Sequence, residues 1–330
     1  MEKRIKTKDT VAGILEHYYN QKFKNNLLSE RSYAIYKNII LILEKDLAPL
    51  PIQSLKIKDI EEFGDKIRRF SNETISKIWS LLNLAFKIAY SRRIIKYNIM
   101  VYGMLIKPHS IKVTQKIEAL TLPEQSKLLS VFDLERKTSQ KHEQFINACL
   151  LCLYTGMRIG EVLALCKDAI NLENNTLTVK RTLSTNQFGK VYLCNHTKTY
   201  HAAENIDKGK RIFLMTPMVR QIIEKLLLEA PKNQSEALFW NSQTKNYLIS
   251  SNINSYLQRL NKKHEIIPST LHSHILRHTF ITRCVESGMN LKVIQYLVGH
   301  TRSSTLTLDT YTSVSKEFVQ DELAKLTIFS

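Results

Sequence analysis

Apolar residues recur every three or four positions along residues 10–100, and this spacing constrains the fold more than any other feature of the sequence. It places the apolar side chains on one face of an α-helix, where they can pack into a core. Only 9 glycines and 7 prolines interrupt the whole chain, and Leu50-Pro51 marks one break. We therefore predict four to five helices in this stretch. Their apolar positions are Val11, Ile14, Leu15 and Tyr18; Tyr33, Tyr36, Ile39, Ile40 and Leu43; Ile60, Phe63 and Ile67; and Ile75, Ile78, Leu82, Phe86 and Ala89.

A different pattern follows in the middle of the chain. Thr176–Thr182 comes after an Asn174-Asn175 turn and is predicted as a strand, as are Val191–Cys194 and Arg211–Leu214. Most of the remaining chain is predicted to be helical. The predicted fold class is thus mainly α, with an N-terminal helical domain and a mixed α+β domain that contains a small antiparallel sheet.

Residues 104–118 contain a proline and several lysines without a full helical period, and we predict that they link the two domains. Thr121-Leu122-Pro123-Glu124 then has the form of a capping box, which indicates that a helix begins there. About ten residues precede the first predicted helix. The predicted organisation is a first domain at 1–103, a linker at 104–118, a second domain at 119–314, and a tail at 315–330 with a short helix at Lys316–Leu326.

The chain is strongly basic, with 48 Lys and Arg against 30 Asp and Glu, a formal charge of +18 and a pI near 9.6. Residues 1–118 carry 22 basic and 12 acidic side chains, and the remainder carries 26 and 18. The excess is therefore spread over both halves and is not confined to one tail. Two basic surfaces are what a protein that closes around DNA would have, although other basic proteins share this balance.

The cysteines and histidines do not predict a metal site. Cys149 and Cys152 form a C-x-x-C inside the apolar run ACLLCLY, which is typical of a buried helix, so reduced core thiols are expected. His272, His274 and His278 lie close together, but no cysteine or carboxylate completes a zinc set at ligand spacing. The N-terminus lacks the apolar segment of a signal peptide, and no apolar run approaches the ~20 residues that span a bilayer. We expect a soluble, cytoplasmic protein.

Three strings in the C-terminal two-thirds carry side chains suited to phosphate chemistry. They are TGMRIGEVLAL at 155–165, HSHILRHTF at 272–280 and VGH at 298–300, with a tyrosine eleven residues beyond the last histidine. Each string alone also has a structural interpretation, such as a surface ion pair between Arg158 and Glu161 three residues apart. The candidate catalytic side chains in these strings and beyond them are Arg158, His274, Arg277, His300 and Tyr311.

These residue types suit the cutting and rejoining of a phosphodiester without a metal. Negative charge develops on the non-bridging oxygens during attack, and guanidinium groups bind such oxygens bidentately. A tyrosine hydroxyl becomes a nucleophile when a base or a cationic pocket helps it to lose its proton. A lysine can protonate the leaving 5′-oxygen once neighbouring cations lower its pKa. Because a phosphotyrosyl bond conserves the bond energy, rejoining requires no cofactor.

In order, spacing and flanking residues, the three strings together resemble the tyrosine recombinase (phage integrase) family, and the resemblance covers nearly the whole chain. It implies that residues 1–103 are a core-binding domain on one face of the DNA and that 119–314 are the catalytic domain. It implies Tyr311 as the nucleophile that holds the 3′ end, with Arg158, Arg277 and His300 stabilising the transition state. His274 would be a general base or phosphate ligand, and Glu161 would orient Arg158.

The resemblance also implies a catalytic lysine on a β-hairpin between the first two strings. Thr197-Lys198-Thr199 is similar to the family's Lys-Thr turn, so Lys198 is the expected general acid. The stretch that follows is longer than usual and carries Lys208 and Lys210, either of which is an alternative. The interval from His300 to Tyr311 is about one residue longer than in the close integrase pattern, but Tyr311 is the only tyrosine beyond His300.

The implied function is site-specific DNA recombination for integration or excision of a mobile element. The implied partners are double-stranded DNA with inverted-repeat core sites, further copies of the chain in a tetramer on synapsed DNA, and accessory DNA-bending or directionality factors. The tail helix would pack on its own domain or on a neighbouring subunit. The larger integrases carry a further N-terminal DNA-binding domain, which this chain would lack or have lost by truncation. Two other functions remain open: relaxation of DNA by a type IB topoisomerase, and regulation by a basic helical protein that binds DNA without cleaving it.

Overall fold

The computed structural model describes residues 9–47, 50–112, 119–138, 142–186, 189–197, 210–229, 233, 235–299 and 321–324. The chain divides into two compact units, Met1–Gln115 with Thr185–Lys190, and Lys116–Ser184 with Val191–Ser330. The predicted fold class is confirmed, since helices dominate both units and the strands form small antiparallel sheets.

The first unit is a bundle of helices whose starts are fixed by polar caps. Thr10, Ser29, Ser71 and Asn98 each accept a hydrogen bond from a backbone N–H of the first turn, which satisfies a donor that has no partner inside the helix. A 3-10 turn at Ile52–Ser54 follows the predicted break at Leu50-Pro51. The helices are α1 (Val11–Lys24), α2 (Glu30–Asp46), α3 (Ile57–Ile67), α4 (Asn72–Ser91) and the short α5 (Ile99–Tyr102).

The core of the first unit contains most of the apolar positions predicted from the helical spacing. Leu15, Ile60 and Leu82 are fully buried in one cluster with their neighbours. Tyr18 of α1 packs against this core and is half-buried. Its neighbour Tyr19, which the spacing did not include, is buried and stacks on Tyr36 of α2 with 4.2 Å between ring centroids.

The second unit is built around α7, whose residues from Ile146 to Thr155 are all buried. Its cysteines, Cys149 and Cys152, are free thiols in that core, as predicted. The predicted capping box is also present at the start of α6, where the backbone N–H of Thr121 donates to the Glu124 carboxylate at 2.8 Å. The helices are α6 (Leu122–Thr138), α7 (Glu143–Thr155), α8 (Ile159–Val162), α9 (Pro217–Glu229), α10 (Ser250–His264), α11 (Ser273–Glu286) and α12 (Leu291–Val298).

Three small sheets accompany these helices. The three-stranded sheet has the order β1-β2-β5 and is antiparallel, and β3-β4 and β6-β7 are two-stranded. Within the three-stranded sheet, Val179 lies opposite Arg211. The strands are β1 (Ile170–Asn171), β2 (Thr176–Val179), β3 (Thr182–Thr185), β4 (Val191–Cys194), β5 (Arg211–Leu214), β6 (Trp240–Asn241) and β7 (Asn246–Tyr247).

The prediction of one strand over Thr176–Thr182 was wrong. β2 ends at Val179, and Lys180 and Arg181 turn towards Asp168, with nitrogen-to-oxygen distances of 2.9 and 2.6 Å. Thr182 then begins β3, which pairs with β4. The predicted strands at Val191–Cys194 and Arg211–Leu214 are confirmed.

The predicted linker and tail are described only in part. Residues 104–112 belong to the first unit, where Ser110 N–H donates to Asn72 Oδ1 at 2.8 Å and Ile111 N–H to the Arg68 carbonyl at 3.0 Å. Of the predicted tail helix, residues 321–324 are described and are helical. No helix in the described part of the chain is long and apolar enough to cross a membrane.

Candidate active site

The site is organised by a tight turn after α7. α7 ends at Thr155, and Gly156 adopts the left-handed conformation with φ of 64°. A Cβ added to Gly156 would lie 2.4 Å from Cδ1 of Phe280 and 2.9 Å from Cγ1 of Val298, so only glycine fits this turn. The turn places Arg158 directly before α8. Arg158 is therefore the N-cap residue of α8 and does not lie within the helix.

Glu161 holds Arg158 by two contacts, and its side chain is buried, whereas the spacing alone indicates an ion pair at the surface. The backbone N–H of Arg158 donates to Oε2 of Glu161 at 3.0 Å, which is the reaching-back half of a capping box. Nη1 of Arg158 donates to Oε1 of the same carboxylate at 3.0 Å. A third bond runs from Nη2 of Arg158 to the backbone carbonyl of Gly299 at 2.9 Å. The guanidinium is fixed from two sides, yet the side chain remains 20% exposed.

Arg277 reaches the same region from α11. Its side chain is buried, and Nη1 donates to the carbonyl of Gly156 at 2.6 Å. Within the described residues, Nη2 of Arg277 has no hydrogen-bond partner. Burial, then the positive charges of Arg158 and Arg211, lower the pKa of Arg277 to about 9. A buried guanidinium with an unused donor is stabilised when an anion binds to it.

Arg211 is a member of the cluster that the sequence analysis did not identify. Its Nη2 donates to Oε2 of Glu161 at 2.5 Å, Nη1 to Oε1 at 3.4 Å, and Nε to the carbonyl of Leu297 at 2.8 Å. The sequence marks Arg211 only as the polar first residue of the predicted strand Arg211–Leu214. Its partners lie 50 and 86 positions away, so no local pattern indicates them.

The four side chains form one electrostatic unit. Glu161 is almost fully buried, and burial alone would raise its pKa, but the charge and hydrogen bond of Arg211, followed by Arg158, hold the pKa below its ordinary value. The carboxylate is therefore ionised and faces three guanidinium groups. The three guanidinium groups and the one carboxylate leave the cluster with an excess of two positive charges. Such a cluster attracts an anion with more than one negative oxygen.

His274 lies three residues before Arg277, in the first turn of α11. Its side chain is exposed, and its ring is 6.2 Å from that of His272, centroid to centroid. Burial, then the neighbouring His278, lower the pKa of His272 below its ordinary value. Burial, followed by the charge of Arg277, does the same for His278.

The structure thus brings together Arg158, Glu161 and Arg277 of the predicted site. Lys198, Lys208, His300 and Tyr311 lie outside the described residues. The alternative lysine Lys210 is described, is exposed, and directly precedes Arg211. No group of three His, Cys, Asp or Glu side chains in the described ranges is arranged to hold a metal ion.

The family model of the phage integrase family matches residues 120–317, which include the whole cluster. The chain belongs to the phage integrase (tyrosine recombinase) family. Among its relatives is the transposase from transposon Tn916 of Enterococcus faecalis, which is 25% identical over 92% of this chain and 74% of the transposase. Tyrosine recombinase XerC of Chlamydia muridarum is 30% identical over 62% of this chain and 57% of XerC.

Solved structures agree with this assignment. Residues 82–397 of the Tn1549 transposon integrase, in complex with a circular intermediate DNA, are 26% identical, with a TM-score of 0.71 over 96% of this chain and 99% of the solved one. The lambda integrase tetramer bound to a Holliday junction shares the fold, with a TM-score of 0.63 at 17% identity over 92% of this chain and 83% of that one. The chain is a site-specific DNA recombinase of the tyrosine type.

Proposed function

We propose that Tyr311 attacks the scissile phosphate and forms a 3′-phosphotyrosyl bond, and that Arg158, Arg277 and His300 stabilise the transition state. The observation that supports this best is the pair of Arg158, which Glu161 holds, and the buried Arg277, which bonds the Gly156 carbonyl and keeps one terminal nitrogen without a described partner. In the transition state the non-bridging oxygens of the phosphate carry negative charge, and this positively charged cluster can bind them. Glu161 orients Arg158, and His274, exposed on the same helix as Arg277, is a general base or phosphate ligand.

Protonation of the leaving 5′-oxygen is assigned to Lys198, with Lys208 and Lys210 as the alternatives. The general acid acts on the opposite side of the phosphorus from the nucleophile, so it is needed only when the bond to the leaving oxygen breaks. A lysine close to several guanidinium groups loses its proton more readily than a free lysine, because like charges lower its pKa. No cofactor takes part, since the phosphotyrosyl bond conserves the energy for rejoining.

The relatives support a mobile element as the source of the DNA. Two of the proteins described above are, by name, a transposon transposase and a transposon integrase, and the second was solved with a circular intermediate DNA. We propose that this chain integrates and excises such an element in the cytoplasm. Its substrate is double-stranded DNA with inverted-repeat core sites. It acts as a homotetramer on synapsed DNA, as the lambda integrase tetramer on a Holliday junction suggests, and accessory bending or directionality factors assist it.

The test is covalent capture of DNA under single-turnover conditions. A duplex that carries an end of the element, with a nick beside the scissile phosphate, traps the protein on a denaturing gel. Arg158→Lys keeps the charge but loses the planar fork, so capture should slow by about 10²–10³-fold. The duplex should bind with nearly unchanged affinity. Capture should persist in EDTA, because the arginines supply the charge that a metal would supply.

A matched control is Arg220→Lys, which alters another arginine of the same unit. Arg220 pairs with Glu224 at 2.7 Å and donates to the Leu172 carbonyl at 2.9 Å and to Oδ1 of Asn175 at 3.3 Å, and none of these partners belongs to the cluster. Its capture rate should equal that of wild type. Absence of any adduct with wild type would instead indicate a DNA-binding regulator. Relaxation of a plasmid that lacks the element's ends would indicate a topoisomerase.

A further inference from the structure

Arg211 connects three parts of the second unit that are far apart in the sequence. It begins β5, which is the first described strand after residues 198–209. Its guanidinium bonds both oxygens of Glu161, which lies on α8, and its Nε bonds the carbonyl of Leu297 near the end of α12. The side chain is 6% exposed, so these bonds form in an environment of low dielectric, where each one matters more than it would at the surface.

The end of α12 is held closely by this arrangement. The backbone N–H of Ile212 donates to the hydroxyl of Tyr296 at 2.9 Å, next to the Arg211 bond to Leu297. Gly299 caps α12 in the left-handed conformation with φ of 63°. A Cβ on Gly299 would lie 3.0 Å from Nη1 of Arg211 and 3.5 Å from Nη1 of Arg158, so the glycine permits both guanidinium groups to approach the backbone. His300 is the next residue in the sequence.

The charges give Arg211 a second role. Glu161 accepts two bonds from Arg158 and two from Arg211, so its single negative charge is shared. If Arg211 carried no charge, Arg158 would be the only arginine hydrogen-bonded to the buried carboxylate. Arg158 would then be held as one half of a tight ion pair, and its attraction for a phosphate would fall.

We propose that Arg211 is a positioning residue for strand cleavage, which neutralises Glu161 so that Arg158 keeps its charge and orientation for the phosphate, and which fixes the end of α12 that leads to His300. This role rests on the proposed cleavage reaction. It assigns to Arg211 no contact with DNA. Its effect on cleavage is transmitted through Glu161 and through the backbone of Leu297.

The experiment is a double-mutant cycle on covalent capture, with wild type, Arg211→Met, Glu161→Gln and the combination of both. Arg211→Met should slow capture by about 10²-fold, while DNA binding measured by fluorescence anisotropy stays nearly unchanged. Adding Glu161→Gln removes the carboxylate that Arg211 neutralised. The double variant should therefore capture DNA at least about tenfold faster than Arg211→Met, although it carries one more substitution.

If the role of Arg211 is purely structural, the order of the two capture rates is reversed. The double variant would then be as slow as Arg211→Met or slower, and this result overturns the proposal, as does a capture rate for Arg211→Met within about threefold of wild type. Arg220→Met is the control for loss of an arginine and should leave the rate unchanged. Arg211→Lys retains the positive charge and should be faster than Arg211→Met.

Two outcomes concern folding and the reaction itself. Arg211→Met leaves a buried carboxylate with one partner fewer and can fail to fold, whereas the double variant removes both charges of the pair and is expected to fold. If Arg211→Met does not fold, the double variant is compared directly with wild type. A capture rate within about tenfold of wild type supports the proposal, and a rate below about a hundredth of wild type overturns it. If wild type itself forms no adduct, the proposed function fails, and the role of Arg211 fails with it.

Discussion

Replacement of Gly156 by alanine tests the turn that organises the candidate site. Gly156 has φ of 64°, and an L-residue in this conformation costs about 1–2 kcal/mol. The new methyl group would also lie 2.4 Å from Phe280 and 2.9 Å from Val298, both of them buried. Overpacking of a closed core costs about 1–3 kcal/mol. The two effects together predict that the free energy of unfolding of the second unit falls by about 2–5 kcal/mol.

Gly288→Ala is a matched control for the backbone effect alone. Gly288 has φ of 73°, but a Cβ there meets no atom within 4 Å. Its alanine variant should therefore lose only the conformational cost of about 1–2 kcal/mol. The difference between the two variants isolates the contact of residue 156 with Phe280 and Val298.

Urea unfolding followed by tryptophan fluorescence gives both free energies. The chain has two tryptophans, Trp79 in the first unit and Trp240 in the second. In a Trp79→Phe background, Trp240 alone reports on the unit that contains the site, and linear extrapolation yields the free energy of unfolding. If Gly156→Ala and Gly288→Ala lose equal free energy, Phe280 does not close over this turn and the described packing is wrong.

Three further predictions follow from charge and chemistry. Binding to DNA should weaken by on the order of 10³-fold or more between ~50 and ~200 mM salt, because basic residues in both units displace counterions from many phosphates, and a flat salt profile in a filter-binding titration would contradict this. Lys198→Ala should slow cleavage by roughly 10²–10⁴-fold and be rescued by a 5′-bridging sulfur, which leaves without a proton, whereas rescue of Lys208→Ala or Lys210→Ala instead would move the general acid to that residue. The pKa of Glu161 is lowered in the folded state, so its ionised form stabilises the fold above the unfolded value near 4.5, and this stabilisation is lost as the pH falls through the folded value. The stability difference between wild type and Glu161→Gln, measured by urea unfolding, should accordingly shrink from about pH 6 to about pH 3.5, and a constant difference would show that folding does not lower the pKa of Glu161.

Local sequence patterns predicted the features that depend on neighbours in the chain. The helices of the first unit follow from apolar spacing, and the start of α6 follows from the Thr121–Glu124 capping box. The contact between Glu161 and Arg158 follows from their separation of three residues. In each case the interacting groups lie within one or two helical turns, so their separation along the chain is enough to predict the contact.

Features that depend on distant partners were not predictable in this way. Thr176–Thr182 has the composition of one strand, but Asp168 draws Lys180 and Arg181 away from the sheet through ion pairs. The burial of Tyr19, which the spacing did not include, involves the ring of Tyr36 on the next helix. An isolated arginine in a sequence carries no signal of burial, and the role of Arg211 becomes visible only when α8 and α12 are placed beside it.

The most direct test of the central claim is covalent capture by Tyr311→Phe. This variant loses only the nucleophilic oxygen, so it should bind the nicked duplex as tightly as wild type and form no adduct that survives a denaturing gel. Digestion of the wild-type adduct and mass spectrometry should place the nucleotide on the peptide that contains Tyr311. An adduct formed equally well by Tyr311→Phe, or a nucleotide found on another tyrosine, would contradict the account.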